Sequence, residues 1–216
     1  MDSLHCKFME MMSGKSGKVL DAGAGTGEIS KALSDMGFGV TSCDIAPRYF
    51  KYGKCAKVDL NSPMPFRSSF FDHVVCAEVI EHLENPHNLL REFNRVIKNG
   101  GTLVISTPNI ANVFSRVKFL ITGKFFCFSD KERILGHLNP VAWWEMEDAF
   151  QMHGFRLDRR ASSADLKISG CSGGMASAKR TLARLFLLML PFIKPKDSVL
   201  LKADSIIFAV TKVRNV

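Results

Sequence analysis

Short runs of apolar and β-branched residues alternate along the chain with stretches in which apolar positions recur every three or four residues. The runs Lys18 to Ala22, Gly39 to Cys43, Cys55 to Val58, His73 to Cys76 and Thr102 to Ser106 have the length and composition of buried strands. Between them, Glu28 to Met36 and Asn88 to Ile97 carry the helical period, the first closed by Gly37 and the second by Asn99 and Gly100. Further on, Asn139 as N-cap and Pro140 at the first helical position predict a helix through Trp143, Trp144 and Phe150 that ends at Gly154. Strands over Phe155 to Arg160 and Ser205 to Val213 follow. Alternating strands and helices predict an open, doubly wound α/β sheet with helices on both faces. No linker or internal repeat interrupts it, so residues 1–216 read as one domain.

Composition changes this picture little. Hydrophobic residues are 46% and charged residues 23% of the 216, which is globular and excludes disordered, collagenous and coiled-coil classes. The six cysteines, at 6, 43, 55, 76, 127 and 171, have no C-x-x-C pair, so reduced thiols in a cytoplasmic protein are expected. Met1 to Met12 is broken by Asp2, His5, Lys7 and Glu10 and lacks a signal peptide's apolar core. The longest apolar run, Leu185 to Ile193, contains Pro191 and is nine residues long, well short of the ~20 that span a bilayer. Charge is more informative, because residues 156 to 196 hold nine Lys/Arg against Asp158 and Asp165 and so carry nearly all of the chain's +8. Such a segment attracts phosphate, carboxylate or an anionic membrane.

Val19 to Ser30 reads as strand, glycine turn and helix start. Gly23, Gly25 and Gly27 allow a sharp turn and close approach of a ligand. The loop is not the dinucleotide G-x-G-x-x-G, since Glu28 stands three after Gly25, and with Asp21 it favours a cationic ligand over a pyrophosphate. Asp44, seventeen residues after Gly27, ends the second strand where a carboxylate can accept both ribose hydroxyls; an ordinary turn aspartate is the plain alternative.

With these segments, Lys57 to Phe66, Phe70 to Leu83 and Lys98 to Asn109 complete five ordered motifs. Together they resemble the class I S-adenosylmethionine-dependent methyltransferases, in particular the ubiquinone and menaquinone biosynthesis O-methyltransferases, over about residues 17 to 155. The resemblance implies a Rossmann-like, seven-stranded sheet with a final antiparallel strand and an insertion before the last helices. It also implies a cofactor core over 17–109. Gly23, Gly25 and Gly27 would then line the amino-acid part of S-adenosylmethionine and Asp21 would lie near its ammonium. Asp44 would hold the ribose, Asp59 and Leu60 the adenine, and Ala77 and Glu78 would border the sulfonium and the acceptor.

Methyl transfer from a sulfonium needs alignment and exclusion of water, and a base becomes useful when the acceptor is a hydroxyl. Glu78, Glu81 and His82 form E-x-x-E-H where a strand enters a helix, and a helix that starts early enough places all three on one face. With His137 as a fourth ligand they would hold a divalent cation, magnesium or manganese. The same pattern is similar to the metal site of small-RNA terminal 2′-O-methyltransferases. The plainer reading makes Glu81 and His82 helix caps and Glu78 a pocket wall, with His82 or His137 as the candidate base, and both readings stay open. Thus Glu81, His82 and His137 are the catalytic candidates, and metal use is undecided.

Residues 110–138 form a lid-like insertion holding five Phe and five Lys/Arg, with a short helix at Val113 to Leu120; its aromatic rings either cover the acceptor or pack on the sheet. Residues 165–196 form a second, basic and apolar insertion with a helix over Ser177 to Ile193, suited to burial, a homodimer contact or the periphery of a membrane. The leading expectation is O-methylation of a small-molecule, lipid-linked or glycan acceptor. RNA 2′-O-methylation ranks second, because Phe outnumbers Tyr 17 to 2 and no nucleic-acid platform follows Asn109. A non-catalytic cofactor-binding partner protein ranks last.

Overall fold

The computed structural model describes residues 3–163 and 203–216. The elements are α1 (Ser3–Met12), β1 (Lys18–Ala22), α2 (Glu28–Asp35), β2 (Gly39–Asp44), β3 (Cys55–Lys57), β4 (Phe71–Cys76), α3 (Pro86–Val96) and β5 (Ile97–Pro108). They continue with α4 (Val113–Thr122), α5 (Asp130–Ile134), α6 (Trp143–Met152), β6 (Phe155–Ser162) and β7 (Ser205–Lys212). Seven strands form one sheet in the order β3-β2-β1-β4-β5-β7-β6. The first five are parallel, and β7 runs antiparallel to both β5 and β6. The expected architecture, including its antiparallel final strand, is the observed one.

Side-chain alternation explains why both faces are covered. Leu20, Val74, Leu103, Ile105, Phe208 and Val210 point into a core shared with Leu89, Leu90 and Phe93 of α3 and Met146 and Phe150 of α6. Their neighbours Val19, Val75, Val104 and Ile207 point to the other side, against Ile29 and Leu33 of α2 and Phe8 and Met12 of α1. Central strands that bury both faces must be apolar at consecutive positions, which is why they read as short unbroken runs. Helix α1 was not expected. Its stripe of Leu4, Phe8, Met11 and Met12 has helical spacing, and Lys7 and Glu10 pair with each other outside that stripe.

Several boundaries differ from expectation: β4 begins at Phe71, β5 runs from Ile97 to Pro108 and β6 reaches Ser162, and the ends of α3 and α6 move for local reasons. Helix α3 begins at Pro86 rather than Asn88, because the Asn85 side chain accepts from the backbone N–H groups of His87 and Asn88. It ends at Val96, one residue before β5 begins, and Gly100 then turns with φ 77°. Helix α6 begins at Trp143, so Asn139 and Pro140 are not its cap. The N–H groups of Leu138 and Asn139 instead donate to the carbonyl of Glu81 at 2.8 and 3.0 Å, and the Asn139 amide donates to the Leu83 carbonyl. The Glu145 carboxylate satisfies the Ala142 N–H at 2.8 Å and starts the helix three residues late. The expected helix over Ser177 to Ile193, and most of the basic 156–196 segment, lie outside the described residues.

The C-terminal strand is fastened by buried polar groups. Asn94 donates to the carbonyls of His153 and Arg214 at 2.9 and 2.8 Å, and buried Lys212 donates to the Asn94 and Ile97 carbonyls at the end of α3. Asn94→Ala is expected to lower stability by about 2 kcal/mol, because the buried His153 carbonyl and the part-buried Arg214 carbonyl lose their donor. An unchanged urea midpoint would show that water replaces the amide.

Candidate active site

The carboxyl ends of β1, β2 and β4 converge, as expected of a parallel sheet whose crossovers lie on both faces. Gly23, Gly25 and Gly27 all take positive φ, at 77°, 53° and 96°. They are not equivalent. A Cβ on Gly23 would strike Val79 and one on Gly27 would strike Phe50 and Tyr52, whereas a Cβ on Gly25 would meet open space. Gly23 and Gly27 thus let the loop pack against its neighbours, and Gly25 forms the open cradle.

Two carboxylates fix that cradle. Asp44 accepts the Gly25 N–H through one oxygen at 2.8 Å and the Ala46 N–H through the other at 2.7 Å, tying the loops after β1 and β2 together. A carboxylate has lone pairs beyond these two bonds, so it can still receive hydroxyls. Asp21 is only 1% exposed and accepts from the Ser30 hydroxyl at 2.6 Å, with the Ser42 hydroxyl 2.7 Å further on. Burial pushes its carboxyl up to about 6 despite the Ser30 hydrogen bond. It therefore acts from beneath the loop rather than from its open face. Asp59 lies two residues beyond β3, exposed, with Oδ1 accepting the Asn61 N–H at 2.9 Å, while Leu60 is buried in the core.

On the other side of the strand ends, the expected helical face of Glu78, Glu81 and His82 does not form. Ile80 to His82 make a single 3-10 turn, and Glu78 precedes it with a left-handed φ of 53°. The backbone N–H of Glu78 donates to the Ser106 hydroxyl, which in turn donates to Glu78 Oε1 at 2.7 Å, and the Ser205 hydroxyl donates to Oε2 at 3.2 Å. Glu78 is thus drawn toward β5 and β7. His137 takes the vacated place, and the ligand atoms of Glu81, His82 and His137 lie within 4.8 Å of one another. Ser106 lies within an expected motif and ends an expected strand, but Ser205 carries no signal in the sequence that would have linked it to Glu78.

The cluster is held from several directions. Glu81 is 1% exposed, its Oε2 has no hydrogen-bond partner, and burial, followed by the charge of Glu78, raises its carboxyl to about 8. His137 Nδ1 lies 2.7 Å from the Cys127 carbonyl, so it carries the proton and leaves Nε2 with a lone pair. His82 bonds to the Gly136 backbone, and burial and the neighbouring His137 lower its basicity. The two imidazoles meet edge to face at 4.6 Å, and Phe128 lies against His137 at 5.4 Å. Cys127 is itself left-handed at φ 61°. Imidazoles fastened through one nitrogen, beside a buried carboxyl with an unpartnered oxygen, are donors of the kind that could hold a divalent cation.

The insertion contains the expected helix from Val113, here reaching Thr122, and a second short helix, α5. Its aromatic rings are not all buried. Phe128 joins a small core with Ile110 and Ala142, while Phe114 and Phe119 remain exposed.

Residues 20–105 match a family model described as a methyltransferase domain. A ubiquinone biosynthesis O-methyltransferase of Xanthomonas campestris is 32% identical over 103 residues, and another from Xanthomonas oryzae is 31% identical over the same length. The match spans 43% of this chain and 43% of each of these relatives, so the chain aligns with less than half of their length. Among solved structures, a SAM-dependent methyltransferase of Archaeoglobus fulgidus superimposes with TM-score 0.68, covering 96% of this chain and 90% of that one at 18% identity. A SAM-dependent methyltransferase of Thermotoga maritima superimposes with TM-score 0.64, covering 97% and 88% at 14% identity.

The buried Asp21 makes stability depend on pH. Its carboxyl titrates near 6 in the folded chain and near 3.8 otherwise, so its contribution is most favourable below about pH 4 and is lost as pH rises through 6. Asp21→Asn is expected to raise stability at pH 7.5 by up to about 3 kcal/mol and to flatten the pH profile between 4 and 6. Urea unfolding at both ends of that range tests it, and parallel wild-type and variant profiles would refute it.

Proposed function

We propose that the chain, whose residues 20–105 match a methyltransferase domain, is a class I S-adenosylmethionine-dependent methyltransferase that methylates a hydroxyl on a small, lipid-linked or glycan acceptor. The observation that carries this reading is the Glu81, His82 and His137 cluster beside the cofactor strands. Bound S-adenosylmethionine supplies an electrophilic methyl on a sulfonium. The open Gly25 cradle fits its amino-acid end, and Asp44, with lone pairs beyond its two backbone bonds, fits the ribose hydroxyls. Asp59 and Leu60 are assigned to the adenine, Ala77 and Glu78 to the border with the acceptor.

A hydroxyl must lose its proton as the new C–O bond forms. In this proposal Glu81 Oε2 and the ring nitrogens of His82 and His137 that are not bonded to backbone hold magnesium or manganese. Such a cation lowers the pKa of an acceptor hydroxyl. Glu81 and His137 also fix the acceptor's position, since the Glu81 carbonyl anchors the segment that carries His137. The homologous relatives named as O-methyltransferases support oxygen as the acceptor atom. One observation favours the second reading, an RNA 2′-hydroxyl. Arg48, Tyr49, Lys51, Tyr52, Lys54 and Lys57 are all exposed on the rim between β2 and β3, a basic and aromatic surface of the kind single strands use.

Manganese titrated into the complex with S-adenosylhomocysteine is expected to bind saturably, and at least ~tenfold more weakly to Glu81→Gln. No binding to the wild type would leave an imidazole, His82 or His137, as proton acceptor without a metal. Asp44→Ala is expected to weaken S-adenosylhomocysteine binding by about 1.5–3 kcal/mol, roughly ten- to 150-fold, in a calorimetric titration. Undiminished affinity would remove Asp44 from the ribose.

A further inference from the structure

We propose that residues 45–57, the segment between β2 and β3, form a docking surface for single-stranded nucleic acid, with bases stacked on Tyr49 and Tyr52 and phosphates held by the cations around them. The inference concerns binding alone and stands whether or not the bound strand carries the methylated hydroxyl. From Ile45 to Val58 the chain has Arg48, Lys51, Lys54 and Lys57 and no Asp or Glu. All four cations are exposed, and none forms an ion pair with a described residue. The chain has 17 Phe but 2 Tyr, and both Tyr lie in this segment, 56% and 44% exposed. A Phe ring fills a core with no polar tip to satisfy, whereas a Tyr ring on a wet rim is suited to meet a partner.

The segment is held in place at several points. Pro47–Tyr49 make a single 3-10 turn, and Phe50 and Tyr52 meet edge to face at 6.5 Å against Gly27, where a Cβ would strike both rings. The Lys51 N–H donates to the Thr26 carbonyl at 3.1 Å, and the Val58 N–H donates to the Asp44 carbonyl at 3.0 Å. The Arg48 guanidinium lies 4.8 Å from the centre of the Tyr49 ring and donates to its hydroxyl at 3.0 Å. A surface fixed before its partner arrives gives up less freedom on binding.

The chemistry of the patch selects the partner. Lysines on an edge strand ordinarily guard it against pairing with another chain, and β3 is the edge of this sheet. That role accounts for Lys57 and its neighbour Lys54, but not for Arg48, Lys51 or the two tyrosines, which precede the strand. A bilayer needs more aliphatic surface than exposed Ile45 supplies. A duplex offers phosphates but keeps its base faces stacked on one another. A single strand offers phosphates to the cations and free base faces to the rings, and so uses both halves of the patch.

The test is fluorescence anisotropy of the full chain with a labelled, unstructured RNA of about ten nucleotides, alone and annealed to its complement, over a salt series. The single strand is expected to bind at least ~fivefold more tightly than the duplex, and its affinity to fall as salt rises. Tyr49→Ala is expected to weaken single-strand binding at least ~fivefold while keeping the S-adenosylhomocysteine affinity of the wild type, and Tyr49→Phe, which keeps the ring face, to bind as the wild type does. Arg48→Glu with Lys54→Glu is expected to weaken binding and to flatten its salt dependence. Equal binding of strand and duplex overturns the proposal. So does wild-type binding by Tyr49→Ala, which would assign the attraction to the basic 156–196 segment. Binding to anionic phospholipid vesicles that Tyr49→Ala weakens as much as it weakens strand binding would make the patch a lipid contact and would also overturn it. Strand binding with no methyl passed from S-adenosylmethionine to the strand would refute the RNA 2′-hydroxyl reading and leave the docking surface standing.

Discussion

The carbonyl oxygen of Glu81 accepts two backbone N–H groups, from Leu138 and Asn139, and the candidate cluster of Glu81, His82 and His137 depends on that point. It draws the segment before α6 across to the turn after β4, which sets His137 against His82. It also commits Glu81's side chain to the interior, where burial keeps its carboxyl largely protonated near neutrality unless a cation or another positive group arrives. A residue remote in sequence is thus made a neighbour by main-chain bonds rather than by side-chain complementarity.

The cofactor half has a different logic. There the constraint is steric, and three glycines that look interchangeable in the sequence serve two purposes. Gly23 and Gly27 clear room for Val79, Phe50 and Tyr52, and only Gly25 clears room for something the chain does not supply. Asp44 then locks the loop by bonding Gly25. Each of these residues sits at a strand end, and strand ends are legible because a doubly wound sheet repeats the same short apolar run. Strands β1, β2 and β3 match the sequence reading to within a residue, whereas β5 begins at Ile97, five residues before the expected Thr102.

The acceptor half was legible in composition but not in geometry. Glu78, Glu81 and His82 have helical spacing, yet the chain makes one 3-10 turn there, and a left-handed Glu78 sends its side chain to Ser106 and Ser205 instead. No pattern announces a positive φ at a glutamate, because such a conformation is imposed by the surrounding contacts. Asn139 and Pro140 suit a helix start, but the Glu81 carbonyl holds the backbone N–H groups of Leu138 and Asn139 and the Leu83 carbonyl takes the Asn139 amide, so this side chain is engaged away from α6. Local preference decides a boundary only when no distant partner offers more. Helix α1 is the opposite case, a regular stripe that was visible and was weighed only against a signal peptide.

Strands β6 and β7 meet at a narrow neck. The Ser163 N–H donates to the Ser205 carbonyl at 3.0 Å, and the Ser205 N–H donates to the Ser163 hydroxyl at 3.0 Å. Loop closure on fixed ends grows more unfavourable only logarithmically, by about 0.6 kcal/mol for each doubling of loop length. A change in the number of residues between the two serines therefore leaves the bonds of the neck almost as favourable as before. Because the Ser205 hydroxyl also donates to Glu78, the neck ties the far edge of the sheet to the turn after β4.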